Sequence, residues 1–235
     1  MSHALRILYE DNHLLAVLKP AGLATMGVAA DAPSLLKLAK EYLKRKYHKP
    51  GMVYLGVVSR LDRPVSGVVL FARTSKAAAR LTEQFRTRQV EKIYWALVEG
   101  TLEPISGTLT HHLARDDANR RMRIVGATLR GARQAALSYR RLKIVQKNLS
   151  LVEVELHTGR KHQIRLQLAE LGHSIVGDRK YGSQRTFGGG IALHARRLAV
   201  DHPVRHESMI FEAPLPETWG RFGVYDREGW GKYEV

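Results

Sequence analysis

Apolar residues fall in short runs along this chain. Residues 7–9, 14–18, 53–58, 67–72, 94–98, 135–145 and 149–156 read as strands. Three other stretches carry a helical period. Residues 34–47 place Leu35, Leu38 and Tyr42 on one face. Residues 75–89 follow a Thr74-Ser75 cap signal and repeat Ala78, Leu81 and Phe85. Residues 162–171 repeat Ile164, Leu168 and Leu171 and stop at Gly172. Strands outnumber helices and do not alternate with them, which predicts an α+β fold: a mixed, largely antiparallel sheet flanked by helices. Gly188-Gly189-Gly190 precedes a strand rather than a helix, so it reads as a flexible loop and not as a phosphate cradle.

The length of 235 residues fits one large domain or two small ones, and no repeat or low-complexity linker divides it. Charge changes the picture more. The 38 Lys and Arg outweigh 22 Asp and Glu, for a formal net charge of +16. The sequence pI of about 10.3 is in the range of nucleic-acid-binding domains. The excess is clustered. Arg115, Arg120, Arg121, Arg123, Arg130, Arg133, Arg140, Arg141, Lys143 and Lys147 are opposed only by Asp116 and Asp117, and a second basic run covers residues 37–49. A solvated face competes with a phosphate-binding tract for each run. The chain has no cysteine, which excludes disulfides, thiolate nucleophiles and cysteine-held metals. No apolar stretch approaches the length of a bilayer span, and the first residues lack a signal-peptide pattern, so the expected location is the cytoplasm.

Three constellations could carry chemistry. In Ser59-Arg60-Leu61-Asp62-Arg63-Pro64, a carboxylate sits in a loop between two strands with arginines on either side. That setting favours an ionised, nucleophilic Asp62, although an ordinary loop ion pair would look the same. In Leu156-His157-Thr158-Gly159-Arg160-Lys161-His162-Gln163-Ile164-Arg165, a strand ends and a helix begins with Arg160 and Lys161 at or beside its first turn. Cations there oppose the helix dipole, which calls for a nearby carboxylate or phosphate. His162 and Arg165 share a helix face. His162 has no second ligand at i+3 or i+4, and Asp178 is distant along the chain, so a metal site is not expected and a hydrogen-bonded structural role suits this histidine. In the strand Lys92-Ile93-Tyr94-Trp95, Tyr94 could stack on a base or simply pack in the core.

Together these segments resemble the RluA-type family of pseudouridine synthases. The likeness runs from residue 7 to about residue 216 through YEDNHLLAVLKPAGL, RLDRPVSGVVLFART, KIYWALVEG and LHTGRKHQIRLQLAELGHSIVGDRKYG, with LHARRLAVDHP and FEAPLP following. It implies the family's catalytic fold as a single domain over 1–235, with no N-terminal S4 RNA-binding domain. It also implies isomerisation of uridine in structured RNA (rRNA or tRNA) to pseudouridine. Asp62 would be catalytic, Arg60 would displace and replace the target base, Tyr94 would contact the isomerised base, and Arg165 would hold the Asp62 carboxylate. Ser59 and Gln167 stand where relatives often carry histidine. The surfaces expected to meet RNA are Arg120, Arg121 and Arg123 with Arg160 and Lys161. No cofactor or metal is expected, and the working unit is a monomer. The competing expectation is a catalytically silent RNA-binding protein on the same scaffold.

Overall fold

The computed structural model describes residues 5–29, 31–146 and 148–226; Lys147 of the central basic run lies outside them. Its frame is one eleven-stranded sheet among the described residues. The strands are β1 (Arg6–Glu10), β2 (Leu14–Lys19), β3 (Gly56–Val57), β4 (Ser66–Ala72), β5 (Glu91–Glu99) and β6 (Ser106–Asp116). They continue with β7 (Arg121–Val125), β8 (Arg133–Val145), β9 (Leu149–Leu156), β10 (Leu193–Asp201) and β11 (Ser208–Glu212). The order across the sheet is β1-β2-β4-β10-β5-β9-β8-β6-β7, with β3 added to β4 and β11 to β10. The ladders are antiparallel except between β4 and β10, where Ser66 pairs with His194 and Gly67 with Ala195. The α+β expectation with a mixed, largely antiparallel sheet therefore holds.

β2 and β4 are apolar on both faces because a helix covers each side. Leu15, Val17, Val69 and Phe71 pack under Leu35, Ala39 and Leu43 of α1 (Leu35–Lys46). Leu14, Ala16, Val68 and Leu70 pack under Ala77 and Leu81 of α2 (Ser75–Thr87). Ser34 Oγ and Thr74 Oγ1 cap the two helices by accepting the Lys37 and Ala77 N–H groups. The buried stripe of α1 is Leu35, Ala39 and Leu43, with Leu38 and Tyr42 only flanking it. The third helix, α3 (Gln163–Glu170), departs further from the sequence pattern. Gln163 to Leu168 are all buried, polar residues included, because the helix lies inside the molecule rather than on it.

Three strands escape the apolar pattern. β6, β7 and β11 carry Thr, His, Arg and Glu along their lengths, and much of their burial is one-sided. The apolar run at 53–58 yields only the two-residue β3. Its remaining residues, such as Val53 and Leu55, are core contacts of a loop.

Candidate active site

The loop between β3 and β4 carries Asp62 to the place where β4 and β10 run parallel. Gly67 makes that approach possible: its φ is +128°, and a Cβ there would stand 2.4 Å from the Ala195 carbonyl oxygen. The loop is held from beneath. Lys19, the last residue of the buried β2, is fully buried, and its Nζ donates to the carbonyls of Pro20, Leu23 and Arg63 at 2.9, 2.7 and 3.2 Å. Thr25 Oγ1 donates to the Leu61 carbonyl and accepts the Leu61 N–H. Burial pulls the Lys19 ammonium down to about 7, and the charge of Asp62 opposes that fall.

The carboxylate of Asp62 is 26% exposed and faces α3. Arg165 Nη1 donates to Asp62 Oδ2 at 3.1 Å, while Arg165 Nε and Nη2 donate to Asp178 Oδ2 and Oδ1 at 2.6 and 2.9 Å. One buried guanidinium thus serves two carboxylates: a two-pronged bond to Asp178 fixes its plane, and its remaining arm reaches Asp62. Asp62 Oδ1 has no hydrogen-bond partner among the described residues.

The flanking arginines do not pair with Asp62 as the sequence suggests. Arg63 turns away to donate to the Gly22 carbonyl at 2.8 Å. Arg60 is exposed and has no side-chain partner among the described residues. A residue one or two positions away on an extended loop points elsewhere, whereas Arg165 approaches across the fold. Tyr94 is half-buried between the two main cores, beside Leu61. Burial, and then the negative charge of Asp62, pushes its phenol well above the ordinary range, so it is a neutral hydroxyl close to the carboxylate.

Sequence reasoning left out three supports of this site: Lys19, Asp178 and Tyr181. Lys19 ends the otherwise apolar LLAVLK, an unusual place for a buried cation, and Asp178 and Tyr181 lie within GDRKYG. Asp178 is far from His162 in sequence, yet it lies against Arg165 in the fold. His162 precedes α3 in a left-handed conformation, so Arg160 and Lys161 stand outside the helix and escape the expected conflict with its dipole. Arg160 is exposed and donates through Nε to the Gln134 carbonyl at 3.0 Å, and Lys161 is exposed. His162 Nδ1 lies 2.8 Å from the Tyr181 hydroxyl, and its Nε2 lies 3.7 Å from Asp62 Oδ2. Burial pulls this imidazole down to about 4 against the pull of Asp62, so it is neutral at pH 7.

Neither Ser59 nor Gln167 bonds Asp62; both meet backbone groups, and Gln167 Nε2 also lies 3.0 Å from His111 Nδ1. Ser59 Oγ accepts the Leu70 N–H at 2.9 Å, and the fully buried Gln167 donates to the Leu109 and Ala135 carbonyls. Within the glycine run, Gly188 and Gly189 are exposed, whereas Gly190 is packed against the Asp62 loop. A Cβ on Gly190 would stand 2.5 Å from the Pro64 carbonyl oxygen, which also accepts the Ile191 N–H. Gly190 is a packed backstop of the Asp62 loop.

Arg120, Arg121 and Arg123 are exposed on the β6–β7 hairpin, where Arg121 lies 3.4 Å from Asp116. The rest of the central run is dispersed. Arg140 pairs with Glu153, Arg141 with Glu103, and Lys143 donates to the Gly223 carbonyl. Among the described residues, no group of three or more His, Asp or Glu is placed to hold a metal ion.

Residues 13–170 match the family model described as RNA pseudouridylate synthase. The chain is 33% identical to ribosomal large subunit pseudouridine synthase D of Zymomonas mobilis over 91% of its own length and 70% of the relative's. It is likewise 33% identical to the dual-specificity RNA pseudouridine synthase RluA of Haemophilus influenzae, over 89% of this chain and 92% of that one. Among solved structures it resembles human RNA pseudouridylate synthase domain containing 4, with a TM-score of 0.75 and 26% identity over 93% of each chain.

Proposed function

Because the chain belongs to the RNA pseudouridylate synthase family, and so is an enzyme that isomerises uridine in RNA to pseudouridine, we propose that Asp62 is its catalytic residue and structured rRNA or tRNA its substrate. The observation that carries this reading is the clamp on Asp62. A buried arginine, itself locked by Asp178, holds one carboxylate oxygen at 3.1 Å and leaves the other free. A carboxylate held this way by one oxygen can use the other as nucleophile or base.

The reaction breaks the bond from uracil N1 to C1′ and makes one from C5 to C1′. N1 gains a proton and C5 loses one, so no atom or electron is gained overall. That balance requires neither a redox cofactor nor a metal. The base must first leave its stack, which costs a few kcal/mol. Arg60, exposed two residues before Asp62, takes the role of filling the vacated space that the family resemblance gives it. Tyr94 offers a neutral hydroxyl and ring to the base next to the carboxylate. Phosphate contacts from Arg120, Arg121, Arg123, Arg160 and Lys161 supply binding that offsets the unstacking. We read the chain as a single catalytic domain acting as a monomer on cytoplasmic RNA.

Loss of tritium from RNA labelled at uridine C5 measures the step directly. Wild type should release label and form pseudouridine. Asp62→Asn keeps the side-chain shape without the charge, and should fall to background while melting and RNA affinity stay near wild type. Wild-type turnover by Asp62→Asn would remove Asp62 from catalysis. No product from wild type on any rRNA or tRNA tried would favour a silent RNA-binding protein.

A further inference from the structure

The catalytic carboxylate has a second neighbour besides Arg165. His162 presents Nε2 to Asp62 Oδ2 at 3.7 Å, and its side chain is 10% exposed. Its other nitrogen meets the Tyr181 hydroxyl at 2.8 Å, with the two rings edge to face at 5.7 Å. The Tyr181 oxygen also accepts the Met122 N–H of β7 at 3.0 Å. These contacts point to one assignment of the protons. With Met122 donating to its oxygen, Tyr181 has one proton to give, and His162 Nδ1 is the acceptor in reach. The neutral imidazole then carries its own hydrogen on Nε2, directed at Asp62.

Building on the proposed role of Asp62, we infer that His162 is a positioning residue for that carboxylate. Tyr181 fixes its tautomer and ties it to the arginine-bearing β6–β7 hairpin. The hairpin root supports the link. Met122, Leu113 and Ala135 form one small buried cluster with Tyr181 and with Leu166, the residue after Arg165. The Tyr181 ring also lies under the Arg165 guanidinium, 5.1 Å from its centre. Lys180 anchors the same turn by donating to the Arg120 carbonyl at 2.9 Å. RNA seated on Arg121 and Arg123 therefore bears on the strand whose backbone holds Tyr181. At 3.7 Å the His162 contact is longer than a hydrogen bond. Contacts of this kind commonly tighten when substrate closes the site.

Two measurements test this, and the first needs no turnover. Nitrogen-15 NMR of the wild-type protein, with His162 assigned by its absence from His162→Asn, should show Nε2 protonated and Nδ1 bare. The opposite tautomer would overturn the inference whether or not the protein modifies RNA. The second is kinetic. Tyr181→Phe keeps the ring and removes the hydroxyl. His162→Asn suits the left-handed backbone, φ +54°, and is too short to reach Asp62. Each should lower kcat about tenfold with RNA affinity near wild type, and Tyr181→Phe should also melt somewhat earlier because the Met122 N–H loses its acceptor. The double variant should be no slower than His162→Asn alone, because the pair acts as a unit. Wild-type kcat in either single variant, independent multiplication of the two losses, or activity lost only in proportion to unfolding would each refute it. Absence of product from wild type would instead count against the functional reading and leave the tautomer result standing.

Discussion

Replacing Arg165 by Met would remove more than a contact to Asp62. Its guanidinium is the partner of Asp178, which is 1% exposed, so the substitution strands a carboxylate in the interior. Breaking a buried pair in this way costs about 3–5 kcal/mol. Urea unfolding should register that loss, and turnover should fall further than RNA affinity. His194 gives a second expectation at this scale. It is fully buried, its Nδ1 facing Ser66 Oγ at 2.8 Å and its Nε2 the Ala213 carbonyl at 3.1 Å, and burial pulls it down to about 4. A folded-state value below the unfolded one, about 6.5, means that the unfolded chain binds the extra proton between those values. Stability is therefore complete above pH 6.5 and is lost as pH falls towards 4, by about 2 kcal/mol for this residue at pH 5. His162 shifts in the same direction. Urea midpoints measured at pH 7 and pH 5 should show the drop, and His194→Asn should lessen it.

The Asp62 loop depends on the elements around it. Lys19 of β2 grips its backbone, and Gly190 supports it from the other side. Alanine at Gly190 would put a methyl group into the Pro64 carbonyl and displace the loop, and a displacement of about 1 Å at a reacting group costs about 100-fold in rate. Gly190→Ala should thus lose about 10–100-fold in kcat, well beyond any change in melting. Gly188→Ala is the control, because its Cβ would meet only Arg221 Nη1 at 3.4 Å, and it should turn over at the wild-type rate. Equal kinetics in both variants would show that the loop tolerates the intrusion. The sequence marks the glycine run but does not distinguish its members. Only the passage of Pro64 past Gly190 does so.

Over the whole molecule, the net charge of +16 is spread unevenly. The hairpin arginines are exposed, whereas Arg140 and Arg141 are paired with glutamates. Each phosphate contact contributes about 0.7–0.9 to the slope of log K against log salt. Neutralising Arg120, Arg121 and Arg123 together should therefore flatten that slope by about 2–3, as read from RNA binding across a salt series. The same slope in variant and wild type would make the hairpin a solvated face.

The sequence by itself determines the alternating and continuous apolar runs of β2, β4, β5, β8 and β9, the cap of α2, and the basic charge, because these depend on local periodicity and composition. Its motifs also single out Asp62, Arg60, Tyr94 and Arg165. It does not determine β6, β7 and β11, whose polar residues mask strands that the sheet recruits by pairing. The pairing of Arg165 with Asp62 is legible only through the family resemblance, not from local spacing, and nothing in the sequence shows that Asp178 locks that cation. Arg165 and Asp62 are 103 residues apart. Contacts of that kind exist only once the parallel pairing of β4 with β10 and the burial of α3 have brought the two loops together. The electrostatics of the site follow from that packing: the distance between charges and the loss of water around them are properties of the folded chain.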